Sequence, residues 1–272
     1  MCSVQEPVVG VLAEQWRAIV ELGGQLDDAE WALPSECPGW TVKDLVSHMV
    51  GTERSLLGER APDDGGPRAA HVHNDMGATN ERWVAERRRR PAGAVLEEFA
   101  EVTARRLSVL EAMTPEQFAA PTPSPVGEVP YRTFMEVRVM DCWVHEQDMR
   151  VATGRPGHAR GSAARLAMER IASAMPVVVA RRAGAPDGAA VRFEMVDDPD
   201  GTVEVVVRQG RGALSDAPAD RPTVVLRMEH EVFWRLGCGR VHGDAALAAG
   251  LVVVEGDVGL GERVVRHMAF MI

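Results

Sequence analysis

Val139-Met140-Asp141-Cys142-Trp143-Val144-His145-Glu146-Gln147-Asp148 lies inside a longer helical pattern that runs from Tyr131 to about Ala152. Phe134, Val137, Asp141, His145 and Asp148 recur at helical spacing, so they share one face of that helix. A face that mixes apolar side chains with carboxylates and an imidazole predicts a helix packed against others around a polar site. Asp141 and His145 are four residues apart, one turn after the other. Gly154 reads as the C-terminal stop.

The chain upstream supplies the partner helices. Val8, Leu12, Trp16, Ile19 and Leu22 predict an amphipathic helix from Val8 to about Trp31, and Pro34 stops it. After the turn-rich Ser35-Glu36-Cys37-Pro38-Gly39-Trp40, Thr41 makes an N-cap with Asp44 three residues on, and a second helix runs to about Gly58. Its apolar stripe is Val42, Leu45, Val46, Met49 and Leu56, with His48 at the edge. Residues 61–68 read as a loop, helical patterns run from about Asn74 to Arg89 and from Ala94 to Met113, and Pro121, Pro123 and Pro125 interrupt again. About four substantial helices among these patterns, with little strand signal, predict an antiparallel four-helix bundle.

His48 and the Asp141/His145 pair together supply two imidazoles and a carboxylate from two helices. That donor set suits a borderline divalent ion such as zinc, and three protein ligands leave one position for water or substrate. The alternative is a half-buried histidine beside a local helix pair. Asp148, three residues beyond His145, is the candidate catalytic residue; it can accept the free ring N–H of His145, and helix capping or a surface ion pair is its other reading. Arg82 and Arg240 are candidate binding residues for an acidic substrate, with ordinary ion pairing as the alternative. His71 and His73 read as an exposed surface pair, Trp40 and Trp143 as bundle core, and Arg87 to Arg90 as a solvated helix end.

Beyond Gly161 one more helix is expected to about Ala180, and then the pattern changes to strands at Val191 to Val196, Val203 to Arg208 and Thr223 to Met228, with turn chemistry at Pro199-Asp200-Gly201. Helices around Val232 to Leu236 and Gly261 to Met268 flank a short strand at Leu251 to Glu255. The fold class is therefore α+β, with a boundary between 155 and 185 placed so that residues 1–158 form the helical bundle and 159–272 a smaller α+β domain.

Composition narrows the partners. The 272 residues are 46% hydrophobic and 26% charged, ordinary for a folded globular chain. A net charge of −10 excludes nucleic acid as the main partner, since phosphate recognition needs clustered positive charge. No apolar run has the length of a membrane span. Cys2, Cys37, Cys142 and Cys238 show no paired spacing and the amino terminus has no signal-peptide form, so a reduced, cytoplasmic setting is expected.

With those residues in place, the chain resembles the mycothiol-dependent maleylpyruvate isomerase family, whose amino-terminal half is a DinB-like four-helix bundle. Cys37-Pro38-Gly39-Trp40-Thr41-Val42-Lys43-Asp44-Leu45-Val46-Ser47-His48 is similar to the family's turn leading to its first metal histidine, and Val139 to Asp148 to its second ligand-bearing helix. Gly239-Arg240 and Val253-Val254-Glu255-Gly256-Asp257 resemble its sterol-carrier-like C-terminal domain. Where this chain has Asp141, the family's pattern has glutamate.

The resemblance implies a metal centre of His48, Asp141 and His145, mycothiol as the low-molecular-weight thiol cosubstrate, and a small electrophile as substrate. The implied reaction is S-transfer or cis-trans isomerisation. Two other classes stay open on the residues alone: a non-catalytic accessory protein that binds a metal or an apolar ligand, and a metal-dependent hydrolase with Asp148 or Glu146 as base.

Overall fold

The computed structural model describes residues 6–63, 68–198 and 201–271. Cys2, residues 64–67 of the expected loop, and the turn residues Pro199 and Asp200 lie outside them. The chain divides into two compact units, Met1–Ala167 and Met168–Ile272.

The first unit is helical. In order come α1 (Pro7–Gly23), α2 (Asp28–Trp31), α3 (Val42–Leu56), α4 (Asp75–Arg87), α5 (Ala92–Glu111), α6 (Pro115–Ala119), the strands β1 (Pro121–Ser124) and β2 (Gly127–Pro130), α7 (Tyr131–Thr153), and α8 (Ser162–Ala172), which crosses into the second unit. α1 packs on α5 and α7, and α3 packs on α4, α5 and α7. The expected helix from Val8 to Trp31 is two helices: α1 ends at Gly23, and the Asp27 carboxylate caps a new start by accepting from Glu30 N–H.

The capping box that opens α3 is present as expected. The Thr41 hydroxyl accepts from Asp44 N–H and the Asp44 carboxylate from Thr41 N–H. Leu45, Val46, Met49 and Val50 of α3 are fully buried, as are Val9, Leu12 and Ile19 of α1. Each such side chain contributes roughly 1.5–3 kcal/mol by leaving water. α3 meets α4 at Gly51, where a Cβ would sit 2.3 Å from Trp83 Cγ, so only glycine lets the helices approach this closely.

Residues read only as a proline interruption form the β1–β2 hairpin, which turns at Gly127 (φ +102°). Prolines lack the N–H that a central strand must donate, and a two-stranded hairpin can accept them.

The second unit holds a five-stranded sheet in the order β5-β4-β3-β6-β7, from β3 (Ala190–Met195), β4 (Thr202–Arg208), β5 (Arg211–Leu214), β6 (Val224–Met228) and β7 (Val253–Gly256). β3 and β6 pair in parallel at the centre, and the other pairs are antiparallel. α10 (His230–Gly237), α11 (Gly243–Ala248) and α12 (Val258–Arg266) complete it. Gly261 sets α12 against the sheet, where a Cβ would lie 2.3 Å from Val254 Cγ1. The helix expected to reach Ala180 breaks after Ala172. Pro176 cannot donate to a continuing helix, and the chain goes on as α9 (Met175–Val177) and a π-helical turn at Val178–Arg182. The protein is a helical bundle followed by an α+β unit. Among the described residues no helix is long and apolar enough to cross a membrane.

Candidate metal centre

The long helix α7 presents Asp141 and His145 one turn apart, and α3 brings His48 to them. One ligand atom from each of the three lies within 4.8 Å of the others. His48 Nε2 is 3.4 Å from Asp141 Oδ2, and His145 Nε2 is 3.7 Å from Asp141 Oδ1. The two imidazoles are 5.1 Å apart, edge to face. Zinc bonds of about 2.0–2.1 Å at tetrahedral angles put neighbouring donors about 3.3–3.4 Å apart, and each imidazole is near that distance from one of the two Asp141 oxygens.

The electrostatics divide the two histidines. Burial lowers the pKa of His48 and outweighs the attraction of Asp141, which favours the neutral form, and its Nδ1 is buried with no hydrogen-bond partner among the described residues. Burial alone would lower His145 too. The Asp141 charge and the hydrogen bond to Asp148 overcome it and push the pKa up to about 10. His145 Nδ1 is 3.1 Å from Asp148 Oδ2, which leaves Nε2 on the Asp141 side. Burial opposes ionisation of Asp141, yet Arg138 and the imidazoles hold its carboxyl well below the usual range.

The sign of the His145 shift has a measurable consequence. Its charged form is favoured by folding, so that stability is complete below the unfolded value of about 6.5 and is lost as pH rises through about 10. In chelator-washed protein the thermal midpoint should fall across this window, and His145→Gln should remove the fall. A parent midpoint that is flat from pH 6.5 to 10 would contradict the assignment.

Several residues around the triad give no signal in the sequence. The side chain of Glu53 is 1% exposed and lies between two guanidiniums, accepting from Arg106 Nε at 3.1 Å and from Arg138 Nη2 at 2.8 Å. Arg138 Nη1 also donates to Asp141 Oδ2. Cys37 Sγ is 3.6 Å from Asp148 Oδ2, and Cys37, His145 and Asp148 form a second compact set of donors.

Trp40, expected in the bundle core, is half-buried instead. Its ring lies 5.2 Å from that of His48 and 6.4 Å from that of His145, and its indole N–H donates to Glu81 at 2.8 Å. His71 is half-buried, with its Nε2 3.0 Å from the same Glu81 oxygen, whereas His73 is exposed. Glu81, a half-turn before Trp83, draws both onto α4.

In the Arg87–Arg90 run Arg88 and Arg89 are exposed, as a solvated helix end requires, but Arg87 is buried and three of the four arginines meet acids. Arg87 is 1% exposed and bonds Glu98 with two nitrogens, Arg90 reaches Glu98, and Arg88 reaches Glu81. Trp143 is in the core as expected, at 0% exposure. Cys142 is also buried, and burial raises its thiol pKa to about 12, which removes it as a nucleophile.

The hydrogen bonds of Arg82 do not draw it to the triad. Arg82 donates along its own helix, to the Ala78 carbonyl and the Thr79 hydroxyl at 3.4 Å each. Arg240 belongs to the second unit, where it donates to the Cys238 carbonyl at 2.8 Å. Glu146 is 0% exposed and accepts from Gln15, Arg150 and His158.

Comparison with known proteins agrees with this order of units along the chain. Residues 185–268 match the SCP-2 sterol transfer family. Two uncharacterized proteins, from two strains of Mycobacterium tuberculosis, are each 29% identical over 154 residues, 53% of this chain and 65% of theirs. The chain thus spans just under two-thirds of the length of the curated relatives it matches. The crystal structure of the mycothiol-dependent maleylpyruvate isomerase superposes with a TM-score of 0.59 at 15% identity, over 95% of this chain and 98% of that one, and that of a histidine-to-alanine mutant does the same. The fold is therefore shared over 95% of this chain. Because the match to its model takes in residues 12–150, just over half of the sequence and all three residues of the triad, the chain belongs to the mycothiol maleylpyruvate isomerase N-terminal domain family.

Proposed function

We propose that this protein is a metal- and mycothiol-dependent enzyme that adds the thiol to a small electrophile, as an isomerase or an S-transferase. The observation that carries the reading is the meeting of the buried His48 and His145 with the half-buried Asp141, residues from distant parts of the chain, in a donor set of zinc type. A divalent ion held by these three would favour the thiolate form of a thiol near neutral pH. The fold shared with the mycothiol-dependent maleylpyruvate isomerase supports mycothiol as that thiol.

The chain's own residues do the rest. Asp148, with 0% of its side chain exposed, is out of reach of a substrate. It is a positioning residue: by accepting from Nδ1 of His145 it fixes the tautomer that leaves Nε2 free to bind. Trp40 covers one side of both imidazoles and limits water there. In either reaction sulfur adds to an electrophilic carbon. An isomerase then lets the former double bond rotate and expels the thiol, whereas a transferase keeps the conjugate. The hydrolase reading gains nothing from Glu146, which is committed to three partners.

The test is elemental analysis of the purified protein, followed by incubation with mycothiol and either maleylpyruvate or a generic electrophile, with and without chelator. Isomerised product or consumed thiol that disappears with chelator supports the reading. Turnover without any thiol, or with full activity in chelator, refutes it.

A further inference from the structure

We propose that Arg138 is a positioning residue that confines Asp141 to one-oxygen binding and thereby tunes the centre toward small, four-coordinate ions. This rests on the metal reading above. Arg138 is 4% exposed and cannot move freely. Its Nε and Nη2 donate to Glu53 Oε1 at 3.0 and 2.8 Å, its Nη2 lies 3.5 Å from Cys142 Sγ, and its Nη1 donates to Asp141 Oδ2. Glu53 is itself anchored on Arg106, whose Nη2 donates to the Tyr131 hydroxyl at 2.9 Å. The guanidinium is thus fixed at one end by a buried carboxylate, and its other end occupies one oxygen of Asp141.

The remaining oxygen, Oδ1, lies 3.7 Å from His145 Nε2, whereas His48 Nε2 is 3.4 Å from the occupied Oδ2 and must turn toward Oδ1 to share an ion with it. Large oxygen-seeking ions gather six or more donors and often take both oxygens of a carboxylate, while zinc is satisfied by one oxygen in a four-fold set. A carboxylate with one oxygen committed to a fixed cation disfavours the first kind of ion more than the second. Lysine cannot replace this fork, because a single ammonium does not span two carboxylates in the same way.

The experiment compares the full-length parent with Arg138→Met, Arg138→Lys and Arg106→Lys, each checked for fold by circular dichroism. The readouts are the visible spectrum of the Co²⁺-loaded protein and the affinities for Zn²⁺ and Mn²⁺. The parent should give the intense absorption of a tetrahedral Co²⁺ site. Arg138→Met should lose that intensity and bind Zn²⁺ about 10–100-fold more weakly, the loss that follows removal of a ligand's hydrogen-bond partner, while Mn²⁺ affinity stays near the parent value. If Arg138→Met does not fold, Arg138→Lys must show the spectral change. Arg106→Lys alters the same buried network without touching Asp141, and should keep the parent spectrum.

A parent-like spectrum and Zn²⁺ affinity in the folded Arg138 variants overturn the proposal, as does an equal change in Arg106→Lys. A parent that takes up no Co²⁺ overturns the metal reading itself and this inference with it.

Discussion

His145→Ala is expected to weaken zinc binding by more than about 100-fold, and His48→Ala to do the same, since losing even a ligand's hydrogen-bond partner costs about 10–100-fold. The two imidazoles come from different helices and meet on Asp141, so neither can substitute for the other. Asp148→Asn should fall in the milder range. It leaves the ligand in place, but a neutral amide no longer selects the Nδ1–H tautomer of His145. Competition titration against a chromophoric chelator measures all three variants. Metal content and affinity unchanged in both alanine variants would end the case for this centre.

Glu53→Ala should be the most damaging single change to the bundle that touches none of the triad. It strands Arg106, 1% exposed, and takes away the second carboxylate of Arg138, which keeps Asp141. Removing one partner of a buried ion pair costs about 3–5 kcal/mol because the remaining charge stays out of water uncompensated. At about 2–4 °C per kcal/mol for a unit of this size, the thermal midpoint should drop by about 10 °C. Glu53→Gln keeps the volume and some hydrogen bonding, and should lose less. A loss below about 1 kcal/mol in Glu53→Ala would mean that water reaches the guanidiniums after all.

What could be read from the chain alone follows the range of the interactions involved. The start of α3 is legible because Thr41 and Asp44 are three residues apart and answer each other locally. Gly154 ends α7 in the left-handed conformation, φ 63°, for an equally local reason. Asp141 and His145 are placed on one face by helical periodicity, but His48 joins them through the resemblance of two motifs and not through any spacing. Glu53 and Arg138 stand 85 residues apart, and no period or turn rule connects them.

The misreadings share a cause. Arg87, His71 and Trp40 belong to residue types that are common at surfaces or in cores, and each was drawn elsewhere by one acid from another stretch of chain: Glu98 for Arg87, and Glu81 for the other two. The β1–β2 hairpin was hidden by prolines that ordinarily mark the absence of a strand.

Two of the three donors belong to a single helix, and the third arrives only when α3 docks on α7. An ion bound there would therefore act as a clasp between segments some ninety positions apart, tied to the closed bundle and to no unfolded form. By mass action, free ion at about 100 times its dissociation constant would add about 2.7 kcal/mol to the resistance of that unit to unfolding. Scarcity of the ion would then loosen the scaffold as well as silence the chemistry, which makes the abundance of the folded protein itself a gauge of supply.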